Sequence, residues 1–186
     1  MTPVVTAVCV VHEIKRDSGR MGKTAIDKRP VTGSVAVEPL GLAGDTQCDR
    51  KFHGGPNAAL YAYAREEAGR WAAELGREIP PGFFGENLAT TGLDVTDALV
   101  GERWRIGDTV EVTVTGPRVP CATFARHIDV PQWVKRFSAR TDVGAYLRVD
   151  VTGTIRAGDQ IAVLERPSGV PTIREVYVAK CRIGTA

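Results

Sequence analysis

The chain has 186 residues, of which 43% are hydrophobic and 25% charged, the composition of one ordinary globular domain and not of a repeat array, a collagen or a disordered chain. Lys plus Arg number 24 and Asp plus Glu 22, a formal net charge of +2, so no broad field draws the protein to nucleic acid or membrane, and any anion site is local. Four cysteines, at 9, 48, 121 and 181, form no C-x-x-C pair, which excludes a zinc ribbon or an iron–sulfur cluster.

The first residues carry no basic leader region and no small-residue cleavage site, and no apolar run approaches the ~20 residues of a membrane span. The expectation is a cytoplasmic protein with reduced thiols and no membrane partner. Val4–Val11 is almost wholly apolar, as in a strand covered on both faces, and Val35–Leu40 follows a Gly33-Ser34 turn. A loop from Gly41 to Pro56 is rich in Gly, Asp and His. The spacing of Ala64, Ala68, Trp71 and Leu75 predicts a helix over Asn57–Leu75, stopped by Gly76 and Pro80-Pro81.

Val110–Thr115 alternates apolar and polar residues in the manner of a half-buried strand. Arg105-Ile106-Gly107-Asp108 is echoed by Arg156-Ala157-Gly158-Asp159, each a Gly-Asp turn feeding a β run, and the pair suggests two similar strand entries in one closed sheet. After Pro167, Ile173, Val176, Tyr177 and Cys181 mark a short C-terminal helix expected to pack on the barrel. With 20 glycines and 11 prolines between β-branched runs, the fold class expected is mainly β with a few helices, a barrel or a sandwich. The domain is placed at 1–166, with a short helical tail over 167–186.

Three stretches carry polar chemistry. Gly41–Pro56 gathers Asp45, Asp49, Arg50, Lys51 and His53 ahead of Gly54-Gly55-Pro56; the alternative is a solvated loop whose Asp residues cap turns. Gly82–Leu88 sets Phe83 and Phe84 beside Glu86-Asn87, which also reads as an aromatic anchor and a turn. Gly116–His127 places Cys121 where a proline-stiffened strand end enters a helical turn, with Arg118 three residues before and Arg126 five after. Guanidinium groups and a helix start lower a thiol pKa, so Cys121 is the candidate reactive thiol and soft-metal ligand, although free cysteines often serve as small buried hydrophobes. Cys9 and Cys181 read as packing residues, and Cys48 is the second candidate.

Gly44-Asp45-x-x-x-Asp49-Arg50-x-x-His53-Gly54-Gly55, then Phe84-Gly85-Glu86-Asn87-Leu88, Ile106-Gly107-Asp108 and Pro117-Arg118-x-Pro120-Cys121 together resemble the MOSC family, named for the C-terminal part of molybdenum cofactor sulfurase. The likeness runs from about Gly41 to Leu164 and is strongest to stand-alone bacterial members that protect against N-hydroxylated purine analogues. It implies a closed β-barrel with peripheral helices, a molybdenum cofactor (molybdopterin), and Cys121 as the ligand of molybdenum, with His53, Asp49 and Asp45 at the same cavity. The aminotransferase-like domain of the full sulfurase is missing, so no pyridoxal phosphate is expected.

On that likeness the implied reaction is reduction of a small N-hydroxylated compound, with His53 supplying a proton and Asp49 holding its ring. Arg118, Arg126, Arg50 and Lys51 are the cations suited to the pterin phosphate, Asn87 is a hydrogen-bonding group for pterin or substrate, and Gly54 and Gly55 let the backbone approach a bound group. With no fingerprint for flavin or nicotinamide and no haem or iron–sulfur ligands, electrons must come from a separate reductase of flavoprotein or ferredoxin type. Two further readings stand beside it: a sulfur carrier with a persulfide on Cys121, and a module that binds the cofactor without turnover.

Overall fold

The computed structural model describes residues 2–50 and 53–183. In chain order the elements are β1 (Val4–Val11), β2 (Lys15–Arg16), β3 (Lys23–Thr24), β4 (Lys28–Pro30), β5 (Val35–Glu38), β6 (Gly41–Leu42), a 3-10 turn over Pro56–Ala58, β7 (Leu60–Ala64), α1 (Arg65–Leu75), β8 (Leu88–Thr91), β9 (Arg103–Ile106), β10 (Val110–Pro117), α2 (Ala122–Ile128), α3 (Trp133–Arg140), β11 (Ala145–Val151), β12 (Gly153–Ile155), β13 (Ile161–Glu165) and α4 (Ile173–Ile183). The mainly β class with a few helices is what the composition led to. Eight strands make one sheet in the order β13-β9-β10-β11-β7-β8-β1-β4; β12-β5-β6 form a second, and β2-β3 a hairpin of their own.

That order is linear, with β13 and β4 at its ends. The residues ahead of β13 are nevertheless tied back to β1: Val4 bridges Gln160, the Val5 N–H donates to the Asp159 carbonyl at 2.9 Å, and Gly158 N–H donates to the Val5 carbonyl at 2.8 Å. The two Gly-Asp turns meet here. Ile106 of β9 pairs with Val110 of β10 on one side and Ile161 of β13 on the other, so both echoed segments flank one strand.

The expected helix over Asn57–Leu75 is corrected in its first half. Leu60–Ala64 is a strand, antiparallel to β11 and parallel to β8, and the helix begins at Arg65. Leu60, Ala62 and Ala64 face an aliphatic core, while Tyr61 and Tyr63 face an aromatic one, so all five residues are buried. A strand covered on both faces has no polar side, and its apolar residues merged with the helical stripe that follows.

The aromatic core joins Tyr63, Trp71, Phe84, Phe124, Trp133 and Phe137, with neighbouring rings tilted, stacked or edge-on at centroid distances such as 4.8 Å for Tyr63–Phe84 and 5.0 Å for Phe124–Phe137. It cements α1, α2 and α3 to one face of the sheet, and Cys121 packs against it. The C-terminal helix is where the periodicity puts it, with Ile173 and Tyr177 buried. Cys181 is a correction to its packing role: it is exposed, although its thiol meets the Tyr177 side chain one turn earlier.

Candidate functional site

β10 ends in Pro117, and the segment to Pro120 delivers Cys121 to the N-terminal cap of α2 in an extended conformation, φ −133°. Proline at 117 and 120 restricts this exit, so the thiol is set by backbone geometry before its neighbours act. The side chain is half-buried. Burial pushes its pKa up, but a hydrogen bond with the His53 side chain, the Phe124 backbone N–H and the Arg118 guanidinium outweigh it and bring the thiol down to about 7. A large fraction is therefore thiolate at neutral pH.

Arg118 is only 5% exposed. Its guanidinium lies 3.8 Å from the Phe124 ring centre and 5.3 Å from that of Tyr61, and its buried Nη1 has no hydrogen-bond partner in the structure. Aromatic faces hold the cation in place while leaving a donor unspent, an arrangement suited to an anion. His53 Nδ1 stands 3.4 Å from the Tyr146 hydroxyl. Its backbone N–H donates to the Asp49 carbonyl at 3.0 Å, while the Asp49 carboxylate faces Arg20 at 3.8 Å. The ring thus has the Tyr146 hydroxyl and the Cys121 thiol beside it.

These groups open on a cavity of about 330 Å³, continuous with a shallower outer groove that shares Arg20, Met21, Lys23 and Cys48. Among the described residues five cations line the cavity, Arg20, Lys23, Lys28, Arg118 and Arg126, against one carboxylate, Asp49. On a chain with almost no net charge this is a local cationic pocket. Among the described residues no cluster of three or more His, Cys, Asp or Glu is arranged to cage a bare metal ion. The donor set is one soft thiolate beside an imidazole and cations.

Asp45 lies behind the cavity lining as a structural hub, bonded to Lys28 and Asn87, which line the cavity. One carboxylate oxygen accepts the Val11 N–H at 2.9 Å; the other accepts Lys28 Nζ at 2.5 Å and Asn87 Nδ2 at 2.7 Å. The second Asn87 amide hydrogen goes to the Cys9 carbonyl, and Asn87 Oδ1 accepts the Tyr61 N–H, so its amide stitches β1 to β7. Glu86 beside it clamps the preceding turn through the N–H groups of Gly82 and Phe84, and burial pushes its carboxyl up to about 7. Cys9, under this layer, is driven by burial to about 12 and is inert, as a packing cysteine should be.

Arg126 reaches the cavity but is engaged bidentately by Asp17, Nε to Oδ1 and Nη2 to Oδ2, both at 2.7 Å. Arg50 is exposed and lies along the outer groove; Lys51 falls outside the described residues. Gly54 and Gly55 permit a close approach, but what approaches is the chain itself: a Cβ on Gly54 would lie 2.4 Å from Gln47 Oε1, and Gly55, at φ +82°, donates its N–H to that oxygen at 2.8 Å. Gln47 Nε2 binds the carbonyls of Leu40 and Ala58, so it ties the whole loop together. Tyr146, Lys28, Asp17 and Gln47 escaped sequence reasoning. Tyr146 sits in a strand that reads as packing, and Lys28 in a basic Lys-Arg-Pro run; only the fold turns them inward.

The sequence profile of the MOSC domain matches residues 49–162, more than half of the chain. The chain belongs to the MOSC domain family. Protein YiiM of Escherichia coli (strain K12) is 34% identical over 156 residues, which span 82% of this chain and 68% of that protein. A protein named reductase from Gibberella moniliformis (strain M3125 / FGSC 7600) is 33% identical over 147 residues, 77% of this chain but 26% of its own length. The crystal structure of YiiM from Geobacillus stearothermophilus matches with a TM-score of 0.79 at 27% identity, over 96% of this chain and 83% of that one. Membership in the MOSC family points to a function connected with the molybdenum cofactor, and Cys121, His53 and Arg118 lie inside the matched span, whereas the cavity wall from Gly19 to Lys28 precedes it. No helix among the described residues is long and apolar enough to cross a membrane.

Proposed function

We propose that this MOSC protein binds the molybdenum cofactor in the Cys121 cavity and reduces small N-hydroxylated compounds there. The observation that carries the reading is the meeting, in one cationic cavity, of a thiol lowered to about 7 and a buried guanidinium with an unpartnered Nη1. The residues fit the group: a thiolate is a soft-metal donor, and the cations answer a pterin phosphate. Cys121 would hold the metal and Arg118 the anionic part, with Lys23 on the same lining. Arg126, Lys28 and Asn87 are left out of the binding set because their hydrogen bonds are spent within the protein. When bound, the cofactor supplies the two-electron chemistry that removes oxygen from an N–OH group.

The chain does the rest. The His53 ring stands between the Tyr146 hydroxyl and the Cys121 thiol, at the cavity, where it can exchange a proton with the departing nitrogen or oxygen. Tyr61, Tyr146 and Ala58 line the cavity with apolar surface that limits water. We take residues 1–166 as the working unit, its sheet curled into the family's barrel through the Val4–Gln160 bridge, with 167–186 as an appended tail; the setting is cytoplasmic and a separate flavoprotein or ferredoxin-type reductase delivers electrons.

A thiol at about 7 also suits a persulfide carrier, and one experiment separates the two. Protein produced in a cofactor-competent host is assayed for molybdenum and for reduction of an amidoxime or N-hydroxylated base with a chemical electron donor. Bound molybdenum and turnover in the wild type, both lost in Cys121→Ser, are expected. A persulfide mass on Cys121 with no turnover would establish the carrier instead.

A further inference from the structure

The cavity is walled on one side by a segment that belongs to no other sheet. β2 and β3 pair only with each other, through Lys15–Thr24 and Arg16–Lys23, and the connecting turn is held by Asp17 N–H to the Gly22 carbonyl and Gly22 N–H to the Gly19 carbonyl. Gly19, Arg20, Met21, Lys23 and Thr24 line the cavity. Arg20, Met21, Gly22 and Lys23 are at the same time exposed. The hairpin is one chain-layer thick, with the cavity behind it and solvent in front.

Its tip is fastened to the opposite wall. The Asp17 side chain, 7% exposed, accepts four hydrogen bonds: Arg126 Nε and Nη2 at 2.7 Å each, Thr123 Oγ1 at 3.0 Å, and the Gly19 N–H at 3.0 Å. Three of the four come from α2, the helix whose N-terminal cap is Cys121. The fit is tight, since a Cβ on Gly19 would lie 2.6 Å from Asp17 Oδ2 and 2.8 Å from Arg126 Nη2. Lys15–Asp27, by contrast, joins the hairpin to its own base, and Arg20–Asp49 is a 3.8 Å pair with the arginine largely exposed.

We infer that the 15–24 hairpin is the door of the Cys121 cavity and that the Asp17 clamp on Thr123 and Arg126 is its latch, so that a bulky ligand enters only when the latch opens. Arg126 then serves access to the site as a positioning residue. A short hairpin outside the main sheet has few backbone bonds to lose on swinging away, and a bidentate pair backed by Thr123 is the interaction placed to hold it. The inference concerns access and stands whether or not the cavity performs the reaction proposed above.

The test reads Cys121 alone, by peptide mass mapping, and needs neither molybdenum nor turnover. Cofactor-free protein is treated with iodoacetamide, which is small, and with a polyethylene-glycol maleimide, which is not, and the ratio of the two rates cancels changes in thiol reactivity. Asp17→Asn removes the charge of the latch, and Gly19→Ala forces a methyl into it. Both variants are expected to raise the maleimide-to-iodoacetamide rate ratio at Cys121 by about tenfold or more, with Cys9 still unmodified. An unchanged ratio in both variants overturns the inference, as does a parallel rise at Cys9, which would mean that the whole domain had opened.

Discussion

At the scale of single residues, Cys121 is set apart from the other thiols by its surroundings and not by its chemistry. Cys9 is driven to about 12 by burial, Cys121 is brought to about 7 by His53, Phe124 N–H and Arg118 against the same effect, so the two differ by orders of magnitude in thiolate content at neutral pH. Alkylation of the folded protein at pH 7, followed by peptide mapping, is expected to label Cys121 and spare Cys9. His53→Gln removes one of the groups that favour the thiolate, so the midpoint of Cys121 alkylation against pH should move upward. In cofactor-loaded protein the same variant should lose roughly 10²-fold to 10⁴-fold in kcat per bound molybdenum, the range of general acid catalysis. Unchanged kcat per molybdenum would leave solvent as the proton source.

Elements place these residues, and their junctions are where substitutions should cost most. Gly144, at φ +72°, brings the start of β11 against β7: a Cβ there would meet the Ala62 carbonyl at 2.5 Å and the Tyr61 ring at 2.7 Å. Gly144→Ala is expected to destabilise the fold by about 2 kcal/mol or more, through both the left-handed backbone and the clash, read as a shift in the denaturant midpoint. Asp45 joins β1, β4 and Asn87 with a side chain 4% exposed. Asp45→Ala strands the Lys28 ammonium and should cost about 3–5 kcal/mol. Asp45→Asn keeps a hydrogen-bonding group there and should cost less; equal losses in the two would argue against the charge as the cause.

For the whole molecule, two buried carboxyls each contribute to the response to pH between about 4.5 and 7, and the half-buried His127, lowered from 6.5 by burial, contributes in the opposite sense. Glu67, bonded to Thr96 but with Oε2 unpartnered, and Glu86 are each raised from 4.5 to about 7, in both cases by burial. Each carboxyl keeps a proton in the folded state that the unfolded chain releases above 4.5, so its contribution to stability falls as pH rises from about 4.5 to 7 and then levels off. The loss is on the order of 3 kcal/mol per group at most. Glu67→Gln should flatten that part of the stability-against-pH curve; an unaltered slope would show that Glu67 is ionised in the fold. What the chain declares by itself is local: the β-rich class, the alternating strand at Val110–Thr115, the C-terminal helix, and the thiol behind Pro-Arg-x-Pro, because turn chemistry and side-chain period are written in neighbouring residues. The tertiary structure alone decided that Leu60–Ala64 is a strand, that Tyr146 meets the His53 ring, that Arg126 is spent on Asp17, and that Lys28 faces the cavity. Each of these depends on a partner tens of residues away, and burial from both sides erases the polar face by which a segment or a charge would have announced its role.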